Sequence, residues 1–164
     1  MSTLDAPLPQ APTMTGPAPH LLIVRAPYYK NVVDGMTAGA ERILAEAGAT
    51  YEIIDVAGSF ELAQAIRLVL RASPGKSFDG FVALGCIVRG GTDHYDYICR
   101  ETIASLMAVS LQFGLCLGSG VLTVHSIEQA VVRSGPDGHN KGAESAVAAL
   151  VQIGIARRFM GPAA

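Results

Sequence analysis

The chain has no tryptophan, only three cysteines and four histidines, and just 16% charged residues, and each scarcity closes off a class of protein. Cys86, Cys99 and Cys116 lie 13 and 17 residues apart. An odd set at that spacing builds neither a disulfide framework nor the close pairs of a zinc site, so the three read as reduced, buried small hydrophobes. A surplus of positive charge is also missing: 12 basic side chains stand against 14 acidic ones, for a formal net charge of −2. Binding a phosphate backbone requires a basic footprint, so nucleic acid is not an expected partner. Long apolar runs are absent as well, since the longest clean one, Phe81 to Val88, falls far short of the roughly 18 residues a membrane helix needs. The first twenty residues hold five of the nine prolines and no basic residue, unlike a signal peptide, so the expected location is cytoplasmic.

What is present fits one domain of 164 residues, half of them hydrophobic. An ordinary soluble domain carries roughly 25% charged residues, so this chain has less charge than an isolated subunit's surface normally shows. Residues 1–19, rich in Pro, Ala, Ser and Thr, have no apolar periodicity and are expected to form a mobile arm. Residues 20–164 form the expected single domain, in which short apolar runs alternate with longer amphipathic ones, the pattern of βαβ units and a parallel sheet. Strands are predicted at Leu21–Ala26, Tyr51–Val56, Phe81–Val88 and Val121–Val124. Helices are predicted at Val32–Ala47 (stopped by Gly48), Ser59–Arg71 (ended by Ser73, Pro74 and Gly75), Asp93–Phe113, Ile127–Ser134 and Lys141–Phe159, the last capped by Asn140. Four strands joined by right-handed helical crossovers predict an α/β protein, a three-layer α/β/α sandwich with its site at the C-terminal ends of the strands.

Two glycine motifs fail as nucleotide sites. Pro74-Gly75-Lys76-Ser77 resembles the tail of a phosphate loop, but Leu70 stands where the earlier glycine is needed and the segment closes a helix instead of opening one. Gly118-Ser119-Gly120 has Thr123 in place of a third glycine and precedes its predicted strand. Gly90-Gly91-Thr92-Asp93-His94 is better placed, because it leaves a strand and opens a long helix, where free amides and the helix dipole favour an anion. The same segment also reads as a plain turn capped by Thr92 or Asp93. His94 beside such a site is a natural proton carrier. Arg133 and Lys141 flank the turn Gly135–Asn140 and together suit a phosphate, although Arg133 alone reads as a helix-end charge. Phe60 and Glu61 follow the second strand, and Tyr28 and Tyr29 the first. Each alone reads as core or loop, but together they suit a flat, hydroxylated ligand. No histidine has metal-ligand spacing to another. The residues therefore imply a site for a planar, hydroxylated substrate and a phosphorylated one, with proton transfer and no metal.

Three segments, ALGCIVRGGTDHYDYIC (Ala83 to Cys99), VAGSFE, and LTVHSIEQAVVRSG followed by HNKGAESAVAAL, closely resemble the 6,7-dimethyl-8-ribityllumazine synthase family. The resemblance covers about His20 to the C-terminus. It implies the flavodoxin-like lumazine synthase fold. It also implies condensation of 5-amino-6-ribitylaminouracil with 3,4-dihydroxy-2-butanone 4-phosphate through an imine, with loss of phosphate, ring closure and loss of water, and no metal or organic cofactor. Position by position, His94 matches the proton-transfer histidine, Arg133 the phosphate-binding arginine, and Gly91 and Thr92 the phosphate cradle. Lys141 lies in the NKG segment lining the site. Tyr28 matches an aromatic stacking on the pyrimidine, Ser59 and Phe60 with Ile87 and Val88 its binding strand ends, and Glu61 the carboxylate holding the ribityl hydroxyls. The side of the pocket bearing Ser119 and Arg133 is implied to come from a neighbouring subunit of a homopentamer or a multiple of pentamers, with the product passing to riboflavin synthase. Two positions depart from the family pattern: Ala57 replaces a usual proline, and Ser119 stands where many members carry phenylalanine. The departures leave a second reading open, a catalytically weak paralogue that binds or stores flavin or lumazine.

Overall fold

A computed structural model describes residues 7–72, 78–136 and 138–160. The helix-ending cluster Ser73-Pro74-Gly75 and the rejected phosphate-loop tail Pro74–Ser77 lie outside the described residues, as does the start of the predicted arm. Strands β1 (His20–Ala26), β2 (Thr50–Asp55), β3 (Gly80–Val88) and β4 (Leu117–Val124) alternate with helices α1 (Lys30–Glu46), α2 (Leu62–Ala72) and α3 (His94–Phe113), and the chain ends in α4 (Ile127–Ser134) and α5 (Lys141–Met160). All pairings are parallel, in the order β2-β1-β3-β4.

The inner strands β1 and β3 are buried on both faces, as unbroken apolar runs should be in a parallel sheet. Successive side chains point to opposite faces. Leu21, Ile23, Val82 and Leu84 pack under α1 and α5 with Met36, Ile43 and Leu150. Leu22, Val24, Phe81 and Ala83 pack under α2 and α3 with Leu62, Ile66 and Leu106. Two cores on opposite faces of one sheet make the three-layer α/β sandwich. Each fully buried Leu, Ile or Val in them stabilises the fold by about 1.5–3 kcal/mol.

Strand β4 begins at Leu117, four residues before the predicted start, and Gly118-Ser119-Gly120 lies inside it. Glycine is a poor strand former, which hid this half from a reading by residue preference. Packing explains it: a Cβ on Gly118 would sit 1.8 Å from the Ser145 carbonyl oxygen of α5. Only a bare backbone lets the helix settle on the strand.

Asn140 is the predicted cap of α5 and does more than cap it. Its Oδ1 accepts from the amides of Gly142 and Ala143 at 2.9 and 3.0 Å, and its Nδ2 donates at 3.0 Å to the carbonyls of Gly35, Ser134 and Gly135. One buried amide thus joins α1, the end of α4 and the start of α5. Ahead of β1, Ala11 and Met14 pack against the core under α1 and α5, and Arg157 donates to the Thr15 carbonyl at 2.8 Å. Cys86 is buried, while Cys99 and Cys116 are half-buried rather than buried, and all three are free.

Candidate active site

Three strand ends build one hollow. After β1 the chain makes a tight 3-10 turn, Pro27–Tyr29, that leaves Tyr28 78% exposed. After β2 a second such turn, Ser59–Glu61, leaves Phe60 53% exposed. After β3 the loop 89–93 leads into α3. Together they wall a cavity of about 580 Å³ lined by Tyr28, Ser59, Phe60, Glu61, Ile87, Val88, Thr92 and His94, eight of the residues singled out from sequence.

Local chemistry sets these positions. A Cβ on Gly85 would lie 2.8 Å from the Ser59 hydroxyl, so that glycine lets Ser59 come down onto the sheet. The Glu61 amide donates to the Gly58 carbonyl at 3.1 Å, fixing the second turn. At the start of α3, Asp93 stands at the cap position and makes no side-chain capping bond.

Gly90 lines the cavity and Gly91 does not. Tyr95, Ile98 and Cys86 also line it and were not singled out as site residues from sequence. Ile98 follows His94 four places on, so the helical period predicted for α3 was the signal that would have found it; Tyr95, one place on, lies about 100° round the helix and had no such signal. Burial pushes the Cys86 thiol up to about 11, so it is a neutral wall group at ordinary pH. Tyr95 is also raised, first by burial and then by the neighbouring Cys99. No lysine or arginine lines this hollow.

The cations open elsewhere. Ser119, Arg133 and Lys141 line a separate, shallower groove of about 230 Å³ along β4, the strand at the edge of the sheet. Ser119 lies mid-strand opposite Ala83, well before the rim reached by Val88 and Val124. Within one chain the cation turn therefore does not share the rim hollow with His94. Arg133 Nη1 donates to the Gln129 carbonyl at 2.9 Å, and among the described residues no carboxylate pairs with it. Lys141 differs, because its Nζ is held by Glu144 Oε2 at 2.6 Å. A guanidinium bonded to a neutral carbonyl keeps its charge for an anion, whereas an ammonium on a carboxylate presents a nearly neutral pair.

The other histidines stand apart from the rim hollow. His20, at the opposite end of the sheet, meets the Thr50 hydroxyl at 2.8 Å and stacks on Phe78. The His125 and Tyr95 rings pack in a T-shaped pair with centroids 6.2 Å apart, and His139 lies 3.8 Å from Glu144. Among the described residues no group of three His, Cys, Asp or Glu is arranged to hold a metal ion, and no helix is long and apolar enough to cross a membrane.

Comparison with known proteins gives one consistent result. Residues 18–157 match the profile of the family described as 6,7-dimethyl-8-ribityllumazine synthase. A 6,7-dimethyl-8-ribityllumazine synthase of Agrobacterium fabrum is 41% identical over 145 residues, which cover 87% of this chain and 98% of the relative. The corresponding protein of Paramagnetospirillum magneticum is 39% identical over 143 residues, 85% of this chain and 95% of the relative. A 6,7-dimethyl-8-ribityllumazine synthase 1 of Rhizobium meliloti is 41% identical over 142 residues, 85% of this chain and 93% of the relative.

Proposed function

The chain belongs to the 6,7-dimethyl-8-ribityllumazine synthase family, and from that membership we propose how its two hollows divide one reaction. The activity itself is that of a transferase of riboflavin biosynthesis. It condenses 5-amino-6-ribitylaminouracil with 3,4-dihydroxy-2-butanone 4-phosphate to give 6,7-dimethyl-8-ribityllumazine, phosphate and water.

In the proposed division the rim hollow takes the pyrimidine. Tyr28 and Phe60 stack on its ring, Ser59, Ile87 and Val88 border it, and Glu61 accepts hydrogen bonds from the ribityl hydroxyls. Gly91 and Thr92 offer the amides of the α3 start to the phosphate. His94 moves the protons as the imine forms, phosphate leaves and the ring closes. Holding two reactants in line lowers the barrier more than any single proton carrier, so most of the catalysis is positioning.

The phosphorylated substrate needs a cation, and the rim hollow supplies none. That separation is the observation that carries the proposal: Arg133, Lys141 and Ser119 of one subunit serve the rim hollow of the next. The functional unit is then a homo-oligomer, a pentamer or a multiple of pentamers. Three features support assembly. The chain has 16% charged residues, β4 is a sheet edge, and Ile103, Met107 and Leu111 expose an apolar stripe along α3. Obligate interfaces resemble a core cut in half, which fits that surface. We place the enzyme in the cytoplasm, handing its product to riboflavin synthase.

The test is direct. Purified protein mixed with both substrates should accelerate lumazine formation with one phosphate released per product, in a particle whose native mass is a multiple of five chains. No acceleration over the buffer reaction would refute the catalytic assignment. A monomer with full activity would refute the shared site.

A further inference from the structure

Every residue from Arg89 to His94 is exposed, and a Cβ built on Gly90 or Gly91 would meet nothing within 4 Å. The loop that carries Thr92 and His94 is thus not held by packing. Its two ends are joined across it instead. The Arg89 amide closes β3 by donating to the Val124 carbonyl of β4 at 2.9 Å. The Arg89 guanidinium then reaches over the loop, and Nη2 donates to Asp96 Oδ1 at 2.6 Å in the first turn of α3. The same guanidinium lies 4.6 Å from the centre of the Tyr95 ring, on the residue next to His94. Tyr95 in turn forms a T-shaped pair with the His125 ring just past β4. Arg89 does not line the rim hollow.

We propose that Arg89 and Asp96 are positioning residues, a charge clamp that closes the glycine loop and fixes its amides and the His94 ring relative to each other. This rests on the reading of that loop as the phosphate and proton-transfer segment. Arg suits the role better than Lys, because its planar fork holds a carboxylate and stacks on an aromatic face at once. The carboxylate also sits in the first helical turn, where the dipole favours negative charge. A glycine loop left open costs order at every turnover, and the clamp removes that cost before substrate arrives.

The experiment compares R89Q, D96N, the double variant R89Q/D96N and R89K, with T92P, which removes a loop amide, as the control on the loop. Steady-state kinetics are run on the assembled enzyme with each substrate varied, alongside thermal midpoint and native mass. A clamp predicts that R89Q and D96N each raise KM for dihydroxybutanone phosphate and lower kcat by about three- to tenfold, because misplacing reacting groups by a fraction of an ångström is enough. KM for ribitylaminouracil should stay put, and the double variant should be no worse than either single one, since the two residues act as a unit. R89K should fall between wild type and R89Q. If R89Q raises KM while D96N leaves it unchanged or lowers it, Arg89 touches the phosphate itself and the clamp is overturned. If T92P raises KM while the clamp variants behave as wild type, the clamp alone fails. If T92P, which removes one of the loop amides, is also silent, the loop is not the phosphate segment and the reading beneath the clamp fails. Should R89Q not assemble, D96N and R89K make the same comparison.

Discussion

The rim hollow and the β4 groove are opposites in build and in charge. The rim hollow is the larger, walled by two 3-10 turns and the glycine loop, with Glu61 and His94 in its lining and no cation. The groove is shallow, set on regular secondary structure, and holds Arg133 and Lys141 without any acid in its lining. One has the shape to enclose a ring and the proton chemistry, and the other has the charge to recognise a phosphate. Physical separation of complementary chemistry on one chain is what an enzyme completed by its neighbour leads one to expect.

That contrast can be broken at either hollow, and the largest effect is expected at the rim. His94→Ala should lower kcat by about 10²-fold while leaving both KM values near wild type, since proton transfer contributes about 10² to 10⁴ and positioning persists. Loss of substrate affinity without loss of kcat would show that His94 binds and does not move protons. In the groove, Arg133→Ala should raise KM for dihydroxybutanone phosphate about tenfold or more, the worth of a hydrogen bond to a charged group, with ribitylaminouracil unaffected. An unchanged response to the phosphorylated substrate would remove Arg133 from the site. Lys141→Met should have the smaller effect on that same KM, because Glu144 already holds the ammonium.

The comparison is sharpened by mixing chains. Assayed at dihydroxybutanone phosphate well below KM, His94→Ala and Arg133→Ala proteins, unfolded together and reassembled in equal amounts, should regain about a quarter of wild-type activity, because a quarter of random pairs join an intact rim to an intact groove. Activity no higher than the mean of the two parents would place both hollows' work within one chain. The smallest effect is a pH dependence confined to the rim. Burial raises the Cys86 thiol from an ordinary 9.0 to about 11, so the folded state holds that proton where the unfolded chain has lost it. This contribution is intact below about pH 9 and should fade as pH rises from about 9 to 11, visible as a falling urea midpoint. Iodoacetamide at pH 8 should spare Cys86, and rapid labelling there would mean that the back wall of the rim hollow is wet.

Much of the fold was legible in the sequence because local and global signals agree. Phe81 to Val88 is apolar at every position except Gly85, as a strand covered on both faces must be, and Asn140 before Lys141 marked a helix start that the structure repeats. Leu117 to Gly120 was not legible, because its glycines are explained only by the helix that lies on them. The candidate site residues came from motifs; the residue pattern alone did not divide them between two hollows, whereas the family resemblance assigned the Ser119 and Arg133 side to a neighbouring subunit. Chain order places Arg133 and Lys141 after the fourth strand and says nothing of that strand being the edge. Tyr95 and Ile98 were hidden for a simpler reason, as each reads singly as ordinary helix packing.

Asn140 leaves one more consequence, for the chain's tolerance of insertion. Its amide holds Ser134 and Gly135 on one side and the first amides of α5 on the other, so Arg133 and Lys141 keep their relation through this side chain. Between Gly135 and His139, Gly138 turns with φ +86°, and a Cβ on it would meet nothing within 4 Å. The turn is therefore a place where lineages can lengthen or shorten the chain, or an engineer can splice a tag, while the two cations stay in register.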